Sequence, residues 1–267
     1  MGRSVLVSAS DWDEMFHIVP GHGNISDRTR EHPEDPDKNA FKFINIAPWK
    51  IRNADWAHLP ENAATTTEGL FLIRSGRYRE SQPCLAYVPL PDGADPVFSE
   101  WRFLSGYSDR GPGTGPCGKP VWSHRQEDAI FLWDDSTFFL GNKGVVGELS
   151  IAFLPSVGLF VVLYAGGKLR SAEHPWGPWS DPIDLFDFWR DHADRNDPAD
   201  PRPRYFAPDG AAYGPYIVPR FTTYDPDLDE TTLHYALSVW RPYQVMLLRT
   251  KVRVNCGYRE DFECGRK

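Results

Sequence analysis

Short apolar or β-branched runs recur along the chain, each bounded by turn-forming residues, and each has strand length. A first set covers residues 4–9, 42–47, 69–75, 84–89 and 101–104. A second covers 129–133, 147–154, 159–164 and 168–172, and a third covers 213–219, 231–239 and 244–252. Between them lie a turn at 10–13 and a polar stretch rich in Pro, Asp and Glu at 20–40. A Gly- and Pro-rich segment at 105–120 reads as loop, and a charged, Pro-rich segment follows at 187–205. Residues 185–193 are expected to form one short helix. Sustained helical periodicity is missing, which argues against a parallel α/β fold. Three sets of strands at a spacing of roughly 50 to 70 residues predict a repeat of small antiparallel sheets. The fold class is therefore all-β, with a β-propeller as the architecture and a decorated β-sandwich as the alternative. A single domain is expected over residues 1–253, followed by a tail at 254–267 that holds Cys256 and Cys264.

Composition sharpens this picture. Aromatic residues make up 14% of the 267 positions, beside 22 glycines and 24 prolines. That mixture fits aromatics on short strands with frequent turns, and also surfaces that face carbohydrate. No apolar run approaches the roughly 18 residues of a membrane span. A net charge of −8 without a basic stretch argues against nucleic acid and anionic membranes as partners. The four cysteines, Cys84, Cys117, Cys256 and Cys264, form no Cys-x-x-Cys pair and have no His cluster at zinc spacing, so no structural metal is expected. Four cysteines allow three disulfide connectivities, and Cys256 with Cys264 is the easiest bridge to imagine. The apolar stretch at the N-terminus is too short for a signal peptide.

Several chemical motifs fail on inspection. The segment from Gly113 to Pro120 nearly spells a phosphate-binding loop. However, Pro120 stands where a magnesium-binding hydroxyl is needed, and the prolines obstruct the helix that would cradle phosphate. It is read as a surface turn. No Gly-x-Ser-x-Gly elbow, His-Glu-x-x-His or dinucleotide fingerprint is present.

Six segments in order resemble a known family. They are Lys42-Phe43-Ile44-Asn45-Ile46-Ala47-Pro48, Ser75-Gly76-Arg77-Tyr78-Arg79-Glu80-Ser81, Val146-Gly147-Glu148-Leu149-Ser150-Ile151 with Leu159-Phe160-Val161-Val162-Leu163-Tyr164, Pro175-Trp176-Gly177-Pro178-Trp179-Ser180, Tyr213-Gly214-Pro215-Tyr216-Ile217-Val218-Pro219, and Leu237-Ser238-Val239-Trp240-Arg241-Pro242-Tyr243-Gln244-Val245. From about residue 4 to residue 252 the chain is similar to the domain of unknown function numbered 4185, which includes endo-D-arabinanase glycoside hydrolases. The resemblance implies a five-bladed β-propeller, metal-free and cofactor-free acid–base hydrolysis with inversion, and an arabinan-like furanose polysaccharide as partner. It also implies secretion of the complete protein, acting as a monomer. The family's catalytic aspartates are thought to lie in an Asp-x-Gly turn and a Gly-Asp-Thr segment of the first blade, and neither occurs ahead of Lys42. The chain is therefore expected to hold about four blades' worth and to begin late in the first.

Candidate site residues follow from position. Glu148 opens an apolar strand in the strongest motif, where a buried carboxylate needs a partner or a purpose. It is read as a catalytic carboxylate, a pKa modulator or an acceptor for sugar hydroxyls, with a structural ion pair to Arg79 as the competing account. Asn45 and Arg79 could donate to sugar oxygens or satisfy backbone carbonyls. Tyr213, Tyr216 and Trp240 could stack on sugar rings, although most aromatics in so aromatic a chain belong to the core. Trp176 to Trp179 are read as a structural turn. Three functions remain open: a hydrolase, a carbohydrate-binding propeller that has lost the acids, and a shortened product.

Overall fold

The computed structural model describes residues 7–8, 17–18, 45–75, 82–93, 98–108, 118–135, 146–164, 167–185, 199, 212–239 and 244–253. The described elements are antiparallel strands and short 3-10 turns, so the chain is all-β. No helix among them is long and apolar enough to cross a membrane. Two compact units are distinguished. One comprises 1–147 with 175–177, and the other 148–174 with 178–267.

In the first unit, a two-residue pair, β1 (Val7–Ser8) with β2 (His17–Ile18), stands apart from the main sheet. That sheet is a five-stranded meander in the order β3 (Asn45–Arg52), β4 (Glu68–Ser75), β5 (Cys84–Leu90), β6 (Arg102–Ser108) and β7 (Lys119–Ser123). Such a meander has the connectivity of a propeller blade, with one strand beyond the usual four. β4 and β5 are buried on both faces, which is why they read as continuous apolar runs. One face packs Leu72, Cys84, Ala86, Val88, Trp101, Phe103 and Ala129 together. On the other, Phe71 meets Trp56, Tyr87 and Trp176 edge-on, with centroids 6.0 to 6.1 Å apart.

Three expectations are corrected here. β3 does not stop at Ala47 but runs through Pro48 to Arg52. It is an edge strand, which tolerates a residue with no N–H to donate. The segment 105–120 is not all loop, because β6 continues to Ser108 and β7 begins at Lys119. The ladder shifts register at a bulge between Leu104 and Gly106. At its far end Gly118 lies so near the Ser108 carbonyl that a Cβ would stand 2.2 Å from the oxygen. Residues 129–133 form no strand. Instead, single backbone bonds tie Ile130 to Leu104 and Leu132 to Pro83.

The second unit holds two sheets. A four-stranded meander runs β8 (Leu149–Leu154), β9 (Leu159–Tyr164), β10 (Lys168–Ala172) and β11 (Ile183–Asp184). The reading of Trp176 to Trp179 as a turn agrees with their place between β10 and β11. The second sheet is built on the ten-residue β14 (Glu230–Val239). β12 (Ala212–Ile217) and β13 (Thr223–Asp225) share one of its edges, and β15 (Gln244–Arg253) takes the other. β14 alternates strictly. Thr231, Leu233, Tyr235 and Leu237 are buried, whereas Thr232, His234, Ala236 and Ser238 are half-buried. One face therefore belongs to the core and the other looks outward. The expected helix at 185–193 and the bridge between Cys256 and Cys264 lie outside the described residues, apart from Leu185, which stands in a bend.

Candidate functional site

Glu148 stands in a bend directly ahead of β8, and its side chain is half-buried, not buried in a strand as expected. Among the described residues no side chain bonds or pairs with its carboxylate. Leu149, the next residue, pairs with Tyr164 on β9. The Tyr164 hydroxyl accepts from Nε of Arg170 at 2.9 Å, and Nη1 of the same arginine donates to the Ser180 carbonyl. Arg170 is buried, so these bonds keep its charge from being orphaned in the sheet.

One residue further along β8, the chain turns toward the second sheet. The Ser150 Oγ accepts from the backbone N–H of Ile217 at 3.0 Å, and both groups are buried. β12 packs against β8 and β9. Glu148, directly ahead of β8, and the tyrosines of β12 therefore belong to one unit in which β8 and β12 pack together. Tyr213 pairs with Ser238 and Tyr216 with Ala236, both on the outward face of β14. Tyr216 is 62% exposed, far from a core aromatic, and Tyr213 is half-buried beside it.

The remaining sequence candidates fall elsewhere. Asn45 opens β3 in the first unit, in register with Ser75. Arg79 lies outside the described residues, in the segment joining β4 to β5, and Trp240 also lies outside them. The structure thus brings Glu148, Tyr213 and Tyr216 together in one unit and leaves Asn45 in the other.

Sequence reasoning missed a second concentration of polar groups, at the end of the first unit's sheet. Arg74, Ser75 and Asp135 are fully buried, and Gln82 nearly so. Arg74 faces Cys84 across the β4–β5 pair. Burial pushes its guanidinium down to about 10, opposed by the neighbouring thiol, which favours the charge. Ser75 Oγ donates to the Gly147 carbonyl at 2.8 Å. Gln82 donates to Asp134 Oδ1 at 2.9 Å and accepts from the Asp135 N–H at 3.3 Å, while the Trp133 indole N–H donates to Asp135 Oδ2 at 3.2 Å. The available signal was a charge interrupting the apolar run Phe71-Leu72-Ile73-Arg74, and the Asp134-Asp135 pair directly after Trp133.

A family model described as a domain of unknown function, DUF4185, matches residues 7–249. No curated protein and no solved structure matches the chain.

Proposed function

The chain belongs to the DUF4185 family, and from that premise we propose that it acts on a furanose polysaccharide of the arabinan type, as a glycoside hydrolase outside the cell. The observation that supports this most is the bond from Ile217 to Ser150, which sets a half-buried, unpaired carboxylate at the mouth of β8 next to the strand that presents Tyr216.

Glycoside hydrolysis with inversion needs one carboxylic acid to protonate the leaving oxygen and one carboxylate to activate water on the opposite face. The two groups stand about 6.5 to 9.5 Å apart. Glu148 is assigned one of these roles. Its half-buried position keeps the carboxyl within reach of a sugar while limiting water around it. Tyr213 and Tyr216 supply flat faces for the C–H surfaces of the furanose rings.

The test is release of reducing ends from arabinan, measured beside retention of the protein on the same polymer. Release by the native chain, with loss of turnover but not of retention in Glu148→Gln, supports the proposal. Unchanged turnover in that variant removes Glu148 from the chemistry. A second reading is favoured by the exposure of Tyr216, which suits a platform better than an enclosed cleft. On that reading the chain is a carbohydrate-binding protein, and arabinan is retained without any release of reducing ends. Absence of both overturns the two readings together.

A further inference from the structure

The outward face of the β12–β14–β15 sheet is divided by chemistry. Tyr213, Ser238 and Val245 form one row across the three strands, and Tyr216, Ala236 and Leu247 form the next. Tyr216, Val245 and Leu247 are 62%, 67% and 61% exposed. Large apolar side chains scattered singly are ordinary on a surface, but neighbours in adjoining rows mark an interaction site.

Further along β14 the same face turns basic. His234 pairs with Arg249, Thr232 with Lys251 and Glu230 with Arg253. Phe221, from the 3-10 turn Pro219–Phe221, sets its ring edge-on to His234 at 6.3 Å, and the Arg220 guanidinium lies over the same Phe221 ring at 4.6 Å. Lys251 and Arg253 share the Glu230 carboxylate, at 2.6 and 3.7 Å. Asp225, opposite Glu230, accepts from the N–H groups of Asp227 and Leu228 in its own turn. Among the described residues, Arg220 and Arg249 have no carboxylate partner. The carboxylates of this region, Asp225, Asp227, Asp229 and Glu230, gather at the β13–β14 turn, which leaves Arg249 and Arg220 as the cations further along the face.

We propose that this face docks an acid-substituted polysaccharide. Its sugar rings lie across Tyr216, Ala236 and Leu247, and its acidic groups pair with Arg249 and Arg220. The proposal rests on the reading of Tyr216 as a saccharide platform and adds the charge of the ligand to it. The two guanidinium groups without a carboxylate partner among the described residues select an anion. An extended polymer can meet this face alone, whereas a charged bilayer would also confront the rest of a net-negative molecule. Guanidinium groups match carboxylate and phosphate oxygens in paired hydrogen bonds, so either acidic substituent satisfies the site.

Retention on immobilised polygalacturonate, on neutral arabinan and on phosphatidylserine vesicles tests the proposal, with matched unfolding curves confirming that each variant is folded. Native protein is expected to bind polygalacturonate and to lose that affinity when ionic strength rises from about 0.1 to about 1 M, as the screening length falls from about 10 to about 3 Å. Arg249→Ala is expected to weaken this binding about tenfold, the loss of one charge-assisted bond, with partial recovery in Arg249→Lys. Retention on neutral arabinan is expected to be the same in Arg249→Ala as in the native chain. Tyr216→Ala is expected to weaken both polymers. Binding to arabinan but not polygalacturonate, or an Arg249→Ala variant that binds polygalacturonate as the native chain does, overturns the acidic-ligand proposal and leaves the polysaccharide reading standing. Tighter binding to the vesicles than to either polymer also overturns it. Retention on neither polymer removes both.

Discussion

Tyr213 and Tyr216 project from the same face of β12 although they are three residues apart, a separation that puts side chains on opposite faces of a regular strand. The cause is a bulge. Two residues of β12, Gly214 and Pro215, stand opposite one of β14, Leu237, between the Tyr213–Ser238 and Tyr216–Ala236 pairs, and Gly214 takes φ of 57° inside the bulge. A Cβ on Gly214 would meet Ser238 Oγ at 3.5 Å, an ordinary contact, so the demand on this residue is conformational and not steric. Gly214→Ala is expected to cost about 1 to 2 kcal/mol in urea unfolding. Gly214→Asn is expected to cost less, because asparagine tolerates the left-handed region better. Equal losses in the two variants would show that the backbone conformation is not the constraint. Reduced arabinan retention in Gly214→Ala is expected to accompany the stability loss.

Ser150 is a polar residue in a strand otherwise suited to burial, and its hydroxyl serves the backbone of another sheet. Ser150→Ala removes the acceptor and leaves the Ile217 N–H buried without its partner. The expected loss is about 1 to 3 kcal/mol, more than deletion of an exposed hydroxyl. Hydrogen exchange at the Ile217 amide reads the same bond directly and is expected to quicken in the variant. An unchanged exchange rate would refute the assignment.

The strands most legible in the sequence are those buried on both faces, together with one long half-buried strand. β4, β5 and β9 announce themselves as unbroken apolar runs, and β14 as a β-branched and apolar series of the right length. β6 and β7 were partly hidden, because glycine and proline dominate their flanks while the ladder itself is made by backbone groups that composition does not reveal. At the candidate site, Glu148 and the tyrosines could be named, but not their relation. The bulge that aligns Tyr213 with Tyr216 depends on pairing with β14, and the Ser150 bond joins residues 67 positions apart. Arg74 and Asp135 escaped because a charged residue in a sequence reads as a solvated one. Only the fold shows that both are buried.

Gly69 is required by its neighbour Tyr87. A Cβ at position 69 would stand 2.4 Å from Cε2 and 2.5 Å from the hydroxyl oxygen of Tyr87. That ring cannot easily withdraw. It packs on Phe71, and its hydroxyl donates to Asn53 Oδ1 at 2.9 Å. Asn53 Nδ2 in turn donates to the carbonyls of Ala63, Thr66 and Glu68 and to the Thr66 hydroxyl. Gly69→Ala is expected to destabilise by about 1 to 3 kcal/mol through overpacking. Tyr87→Leu removes the obstructing ring, so the double variant is expected to fall short of the sum of the single losses. Strict additivity would refute the steric account.

Glu61 gives the first unit a pH dependence whose sign is determined. Arg102 Nε donates to Glu61 Oε1 at 2.8 Å. This bond is the main reason that the Glu61 carboxyl sits below its ordinary value of 4.5, helped by a backbone bond at its own residue and, less, by the charges of Arg102 and His124, while burial opposes the shift. A carboxyl with a lowered folded-state pKa binds fewer protons than the unfolded chain over the interval between the two values. Its contribution to stability is therefore complete above 4.5 and disappears as pH falls through the lowered value. The glutamate side chain is 73% exposed, so screening keeps the contribution small, about 0.5 kcal/mol. Glu61→Gln removes it. Unfolding free energies of the native chain and the variant are expected to differ by that amount at neutral pH and to converge in acid. High salt is expected to narrow the gap at neutral pH as well. A gap that widens as the pH drops would reverse the assigned sign and refute the role of Arg102.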